Sequence, residues 1–167
     1  MMACILEWMM RAKHRLCIPA GHCLELGSQN VNGSPRVVFP DATFYWGVDL
    51  VAGPGVDQVG DAEIVLRDLA PNTFDTCICC ETLEHTVHPW VILERAKAIL
   101  KPSGFLWIST PTYGFPLHRH PLDCYRFAED AYRLWLFADM TLLDLATVHD
   151  ELGQPALVAV GQKWPLF

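Results

Sequence analysis

Short apolar runs separated by polar and turn-forming segments recur along the whole chain. Five of these runs are predicted to be strands, at residues 23–26, 44–48, 57–59, 76–80 and 105–109. Two further runs, at 142–148 and 156–160, are predicted to pair as an antiparallel hairpin at one edge of the sheet. Apolar strands that alternate with helical or turn segments are typical of an α/β domain with a mainly parallel sheet.

Two segments have helical periodicity. In "HPWVILERAKAILKPSG", residues 88–104, Pro89 suits the first helical turn, where its missing N–H is not needed. One face of this helix is apolar: Ile92, Leu93, Ala96, Ile99 and Leu100. Lys101, Pro102 and Gly104 are predicted to end it. A second helix is predicted from 129 to 137 and carries Tyr132, Leu134, Trp135 and Leu136. Its aromatic side chains are predicted to lie in the core and not in a ligand site.

Length and composition favour one domain over residues 1–167. The chain is 51% hydrophobic and 19% charged, as in a globular protein with a substantial core. No apolar run approaches the 18 residues that span a bilayer, and Glu7 interrupts the apolar amino terminus, so neither a membrane anchor nor a secretory signal is expected. The net charge of −7 makes nucleic acid an unlikely partner.

The cysteine pattern indicates free thiols. The count of seven is odd, and three cysteines cluster in the apolar run "CICC" at 77–80. Buried thiols in a reducing cytoplasm explain such a cluster better than disulfides do. Cys77 and Cys80 have C-x-x-C spacing, but no second pair lies at zinc-finger distance, so a structural zinc site is not predicted.

The stretch "CLELGSQNVNG", residues 23–33, begins like a nucleotide-binding loop. An apolar strand reaches Glu25 and then Gly27, but Gln29 and Asn32 stand where a dinucleotide-binding loop carries its later glycines. Their side chains would crowd a pyrophosphate. A nucleoside without phosphates needs only one close approach, at Gly27, and therefore fits this loop better.

Acidic residues follow the next two strands as well. Asp49 ends the second strand 24 residues after Glu25, near the spacing at which an acid binds ribose hydroxyls, and Leu50 could flank an adenine. Asp61 follows the third strand. Three acids after successive strands are expected to line one carboxyl edge of the sheet, where open α/β sheets bind ligands.

The ordered motifs of residues 24–136 resemble those of a small class I S-adenosylmethionine-dependent methyltransferase. The matching segments are "LELGSQ", "GVDL", "VGDA", "FDTCICCETLEHTVHP" and "ILKPSGFLWISTP". The resemblance implies a Rossmann-like three-layer sandwich, with a mainly parallel seven-stranded sheet whose last strand is antiparallel, and S-adenosylmethionine as cofactor.

The same resemblance assigns cofactor-binding residues. Those of the first motif, Glu25, Gly27, Ser28 and Gln29, would lie near the methionine portion. The ribose would contact Asp49, with Leu50 beside it, and the adenine would contact Asp61 and Ala62. Cys80 and Glu81 would lie below the methionine end, through backbone contacts. The sequence departs from the family at Gln29 and Val31, where glycines are common.

Catalytic candidates come from two segments. Methyl transfer to a protonated oxygen or nitrogen needs a general base. His85 follows the fourth strand, and the long loop of residues 112–127 carries His120 and Asp123. The alternatives are that His85 braces the following helix, and that His118, Asp123 and Arg126 staple the loop. A metal held by His85, His118 and His120 matches no known spacing, so no metal site is predicted.

The sequence therefore predicts a cytoplasmic methyltransferase that acts on a small-molecule acceptor by in-line displacement. Because only about twenty residues precede the first strand, a second copy of the chain or a partner protein is a candidate to cover the site. Two other classes stay open: a nicotinamide-dependent oxidoreductase, which the missing glycines disfavour, and a binding module that keeps the methyltransferase fold without turnover.

Overall fold

A computed structural model describes residues 3–165 and has a seven-stranded sheet at its centre. The strands are β1 His22–Leu26, β2 Phe44–Asp49, β3 Gln58–Val59, β4 Phe74–Cys80, β5 Leu100–Pro111, β6 Met140–His149 and β7 Pro155–Lys163. Their order is β3-β2-β1-β4-β5-β7-β6. β7 is antiparallel to both of its neighbours, and the other pairs are parallel. The predicted fold class and the predicted antiparallel hairpin are both confirmed.

Helices lie on both faces of this sheet. They are α1 Ala3–Arg15, α2 Ala62–Arg67, α3 Pro89–Ile99 and α4 Glu129–Ala131. Two short 3₁₀ helices, Pro35–Val38 and Leu83–His85, and a π-helical turn, Tyr132–Leu136, complete the set. The sequence analysis predicts neither α1 nor α2. Within residues 3–165, no helix has the length and apolarity that crossing a membrane requires.

The sheet separates two hydrophobic clusters, and alternation along β4 shows why. Cys77 and Cys79 lie in the cluster that α3 covers, while Ile78 and Cys80 lie in the cluster that α1 covers. A strand buried on both faces must be apolar at every position, which explains the unbroken run at 77–80. The two covered faces give the three-layer arrangement.

The predicted end of α3 is wrong by several residues. The helix ends at Ile99, and Leu100 already has an extended backbone and pairs with Phe74 on β4. Pro102 disfavours a helical conformation at the residue before it, so the chain leaves the helix early. Lys101 then binds the Asp75 carboxylate, with 2.9 Å between Nζ and each oxygen.

The helix predicted from 129 to 137 is short and widens into the π-helical turn. Tyr132 is fully buried, as predicted, and Leu136 is buried beside it. Trp135 is 39% exposed, so the prediction that this aromatic lies in the core is wrong, and Leu134 is 76% exposed. The single turn buries one side only, and these two residues lie on its other side.

All seven cysteines are free thiols. Four of them, on β1 and β4, are buried: Cys23, Cys77, Cys79 and Cys80. Burial raises the pKa of both the Cys23 and the Cys77 thiols to about 12. Cys17 and Cys124 are exposed. The prediction of buried free thiols is confirmed for the strand cluster.

Candidate functional site

The carboxyl ends of β1, β2 and β4 meet at one edge, where the loops that follow them contact one another. In register, Leu26 on β1 lies between Val48 on β2 and Cys79 on β4. The Val48 carbonyl accepts hydrogen bonds from the backbone N–H groups of Gly27 (2.9 Å) and Ser28 (3.1 Å). We call the loops of residues 27–34 and 50–57 the cofactor edge.

Gly27 is required by both its backbone conformation and its surroundings. Its φ is +74°, in the left-handed region that favours glycine, and a Cβ there would lie 2.1 Å from Thr82 Oγ1. The Thr82 hydroxyl lies 3.0 Å from the carbonyl oxygens of Leu26 and Cys80 and can donate to one of them at a time. Thr82 thereby joins the ends of β1 and β4, and only glycine leaves room for it.

Asp49 joins the two loops of the cofactor edge. One carboxylate oxygen accepts a hydrogen bond from the Gln29 backbone N–H (2.9 Å), and the other accepts from Val51 N–H (3.0 Å). Leu50 is exposed beside it. The predicted cofactor-binding residues Gln29 and Asp49 are therefore in contact, and each Asp49 oxygen retains a further lone pair for a ligand.

The loop of residues 50–57 carries two glycines, Gly53 and Gly55, where it packs against the loop after β1. A Cβ on Gly53 would lie 2.8 Å from Gln29 Nε2, and a Cβ on Gly55 would lie 2.8 Å from the Ser28 carbonyl oxygen. The segment "VAGPGVD" is thus packed against the loop after β1. This contact was not predicted from the sequence, although the two closely spaced glycines were a signal for it.

Glu25 lies beneath the cofactor edge and is only 3% exposed. Its carboxylate accepts hydrogen bonds from Tyr45 Oη (2.6 Å) and Ser34 Oγ (3.4 Å). Burial raises its pKa to about 7. Neither Tyr45 nor Ser34 was selected from the sequence, because a partner is visible only once the strands are paired.

The other predicted cofactor residues lie at the same end of the sheet. Asp61 caps α2 by accepting a hydrogen bond from Glu63 N–H (2.8 Å), and Ala62 begins that helix. Cys80 is buried at the end of β4. Glu81 has a φ of +51°, which is unusual for a residue other than glycine, and its carboxylate accepts from Ser109 Oγ at 3.1 Å. Burial raises the pKa of Glu81 to about 7.

The loop of residues 112–127, here the acceptor loop, is held together by Asp123. The Asp123 carboxylate accepts a hydrogen bond from His118 N–H and forms an ion pair with Arg126. Arg126 also donates to the Pro116 carbonyl at 2.8 Å. This ion pair holds the pKa of Asp123 well below its usual range. These contacts are those of the loop-staple alternative, and they occupy both Asp123 oxygens.

His85 lies against the acceptor loop. Its Nδ1 donates to the Leu122 carbonyl at 2.6 Å, since a carbonyl oxygen can only accept. Its ring centre is 4.9 Å from that of His118 and 6.2 Å from that of His120. Burial lowers the pKa of His85, which favours the neutral ring near pH 7. The three histidines named from the sequence are therefore brought together, with His120 the exposed member.

The sequence analysis missed Glu84, which stands beside His85 in "ETLEH". Glu84 is fully buried, and neither carboxylate oxygen has a hydrogen-bond partner among residues 3–165. Its Oε1 is 3.5 Å from His85 Nε2. Burial raises the pKa of Glu84 well above its ordinary value. An acid in an "LEH" triplet could have been flagged as readily as the histidine.

Comparisons with known proteins match part of the segment that carries the motifs. A family model described as a methyltransferase domain matches residues 46–108. A 1,6-didemethyltoxoflavin-N1-methyltransferase of Burkholderia thailandensis, with its substrate and S-adenosylhomocysteine bound, superposes with a TM-score of 0.73 at 22% identity. The superposition covers 97% of this chain and 79% of that one. The chain has the class I methyltransferase fold.

Two further proteins are similar to the chain, one in the sequence of a short segment and the other in its overall structure. A ubiquinone biosynthesis O-methyltransferase of Paraburkholderia xenovorans is 36% identical over 61 residues, which are 36% of this chain and 26% of that one. The match thus spans about a quarter of that relative. A methyltransferase-like protein of Haloferax volcanii, in complex with the Trm112 methyltransferase activator, superposes with a TM-score of 0.67 at 18% identity, over 96% of this chain and 90% of that one.

Proposed function

We propose that the protein is an S-adenosylmethionine-dependent methyltransferase that acts on a small-molecule acceptor. The observation that carries the proposal is the position of Asp49. It ends β2 within the segment that matches the methyltransferase family, at the edge where its carboxylate meets the loop after β1. Vicinal ribose hydroxyls are suitable donors to the lone pairs that this carboxylate retains.

The cofactor would lie across the cofactor edge. Gly27, Ser28 and Gln29 would contact the methionine portion, with Glu25 supporting their loop from below. Asp49 would bind the ribose beside Leu50, and Asp61 with Ala62 would face the adenine. The backbone of Cys80 and Glu81 would close the methionine end. The neighbour bound to S-adenosylhomocysteine supports this choice of cofactor.

His85 is the proposed general base. With Nδ1–H held by Leu122, its Nε2 carries a lone pair that can accept a proton from an acceptor hydroxyl or amine. His120, exposed on the acceptor loop, would contact the acceptor on its way in. Asp123 would act through Arg126 and His118 as a positioning residue, because both of its oxygens are engaged.

The acceptor class, the location and the assembly belong to the same proposal. The toxoflavin-precursor methyltransferase supports a small-molecule acceptor, and the complex with the Trm112 activator supports a partner protein or a second copy as a cover for the site. The free thiols of β1 and β4 support a reducing cytoplasm.

Calorimetry with S-adenosylhomocysteine tests the cofactor. We expect binding, and we expect Asp49→Ala to weaken it at least tenfold, since hydrogen bonds to a charged group contribute roughly 1.5–3 kcal/mol each. Asp68→Ala, at an exposed aspartate paired with Arg67, is the matched control and should bind normally. No heat at millimolar ligand, or stabilisation by NAD instead, would remove the assignment.

One observation favours the alternative, a non-catalytic binding module. The segment around Gly53 and Gly55 contacts Ser28 and Gln29 so closely that a methyl group would not fit, which narrows the cofactor edge. Such a module would be stabilised by neither S-adenosylhomocysteine nor NAD, and it would transfer no methyl group from labelled S-adenosylmethionine in an acceptor screen. Transfer to any acceptor, lost in His85→Ala with binding retained, excludes it.

A further inference from the structure

Two hydrogen-bond acceptors face each other beneath the acceptor loop. His85 uses its Nδ1–H on the Leu122 carbonyl, so in the neutral ring Nε2 presents a lone pair. That lone pair is 3.5 Å from Glu84 Oε1, whose carboxylate has no hydrogen-bond partner in the part of the chain that the structure describes. Two hydrogen-bond acceptors at this distance repel each other unless a proton or a metal cation lies between them.

His118 completes the cluster. It lies on the acceptor loop, and its buried Nδ1 has no hydrogen-bond partner among the described residues. One potential ligand atom from each of Glu84, His85 and His118 lies within 4.8 Å of the other two. The nearby Arg126 charge is neutralised by its ion pair with Asp123 and so offers little net repulsion to a cation.

We propose that Glu84, His85 and His118 bind a divalent transition-metal ion of the zinc class. Two imidazole nitrogens and one carboxylate are a ligand set that such ions accept. Ligand atoms each about 2.1 Å from a tetrahedral ion lie about 3.4 Å apart, close to the separation of the Glu84 and His85 atoms. The His85–Leu122 hydrogen bond is the contact that commonly orients a metal-binding histidine.

Three protein ligands leave a coordination position free, as in catalytic zinc sites. If the proposed methyl transfer holds, the metal-loaded protein would use the ion in place of His85 as the activating group, because His85 Nε2 would then be a ligand. A hydroxyl oxygen of the acceptor at the free position would lose its proton to water. The methyl acceptor would then be a hydroxylated compound, and the charge of the metal ion would activate its hydroxyl group.

Metal titration of the chelator-treated full-length chain tests the site without acceptor or cofactor. We expect one equivalent of Zn²⁺ to bind in calorimetry. Co²⁺ should give the visible bands of a four-coordinate ion and no near-ultraviolet thiolate band, because no ligand is a cysteine. Glu84→Gln and His118→Ala should each weaken binding at least tenfold. His149→Ala, at an exposed histidine outside the cluster, is the matched control and should bind normally.

Thermal melting distinguishes a metal ion between Glu84 and His85 from a proton that the two residues share. Without metal, Glu84→Gln should melt at or above the parent temperature, because it removes an unpartnered buried carboxylate. Added Zn²⁺ should raise the melting temperature of the parent and not that of the variant. Absence of stoichiometric binding, a thiolate band, or binding unchanged in both variants would overturn the proposal. Because S-adenosylhomocysteine binding is measured separately, failure of the metal site would leave the methyltransferase proposal intact.

Discussion

The cofactor edge and the acceptor loop differ in what binds their carboxylates. At the cofactor edge Asp49 accepts from two backbone N–H groups, and Asp57 accepts from Gly47 N–H at 2.8 Å. Next to the acceptor loop, Glu84 is buried, and its carboxylate has no hydrogen-bond partner within residues 3–165. Acids bound to backbone amides hold loops in place without help, whereas an unpartnered buried acid costs stability until something binds it. The contrast thus lies in these acids: Asp49 and Asp57 are bound by backbone amides, and Glu84 is not.

The largest expected effect tests how rigid the cofactor edge is. Gly27→Ala should lower the free energy of unfolding by about 3–4 kcal/mol, since it combines a left-handed backbone with a clash against Thr82. Gly153→Ala is the matched control. Its φ of +76° is nearly the same, but no described atom of residues 3–165 lies within 4 Å of the added Cβ, so its loss should be about 1 kcal/mol.

Urea unfolding of both glycine variants measures that difference. Adding Thr82→Ala to Gly27→Ala should recover part of the loss, because the hydroxyl nearest to the new Cβ is gone. Equal losses at the two glycines would show that the contact between β1 and β4 is loose, and the contrast between the two regions would then fail.

A smaller effect is expected from loosening the acceptor loop. Asp123→Asn removes the ion pair with Arg126 and should open the loop locally, with little change in S-adenosylhomocysteine affinity. Tryptic cleavage after the exposed Arg119 should become roughly tenfold faster, the factor that corresponds to about 1.4 kcal/mol of local stability. Asp130→Asn, at an exposed aspartate outside the loop, is the control. Loss of cofactor affinity together with cleavage would mean that the two regions are not separable.

A further effect appears only at high pH. Burial raises the pKa of Glu25 from near 4.5 to about 7, so the folded chain binds more protons than the unfolded chain between these pH values. Stability contributed by this group therefore falls as pH rises through that window. Glu25→Gln, whose amide oxygen can still accept from Tyr45, should be more stable than the parent at pH 8, by on the order of 2 kcal/mol.

Melting curves from pH 4 to pH 8 check the Glu25 prediction. The variant should show a flatter pH dependence, and the two proteins should converge near pH 4. A variant that is less stable at every pH would mean that the carboxylate form is the one Tyr45 and Ser34 stabilise.

The centre of the sheet could be predicted from the sequence because β1, β4 and β7 are buried on both faces and therefore read as largely apolar runs. All seven predicted strand positions fall within observed strands or overlap them. Boundaries were harder. The end of α3 depends on Leu100 pairing with Phe74, a contact 26 residues distant that no local signal reports.

The candidate site was only partly accessible from the sequence. Strand-end acids such as Asp49 could be located because parallel strands end at a common edge. The partner of each acid could not be predicted, because the Asp49–Gln29 and Glu25–Tyr45 contacts form only when strands and loops pack together. Glu84 was not selected from the sequence because its role depends on burial. Folding places it against His85, with no hydrogen-bond partner in the described part of the chain.

The rate at which the buried thiols of β1 and β4 are labelled measures how often the central sheet opens. A thiol-specific label can reach Cys17 and Cys124 at once, whereas Cys23 and the three cysteines of β4 become reactive only when the central strands separate. The delay between the fast and the slow labelling phases therefore reports the lifetime of the closed sheet. Thr82 and the Glu84–His85 pair follow directly after β4. A ligand that binds there and holds β4 in place should therefore slow the labelling of its cysteines.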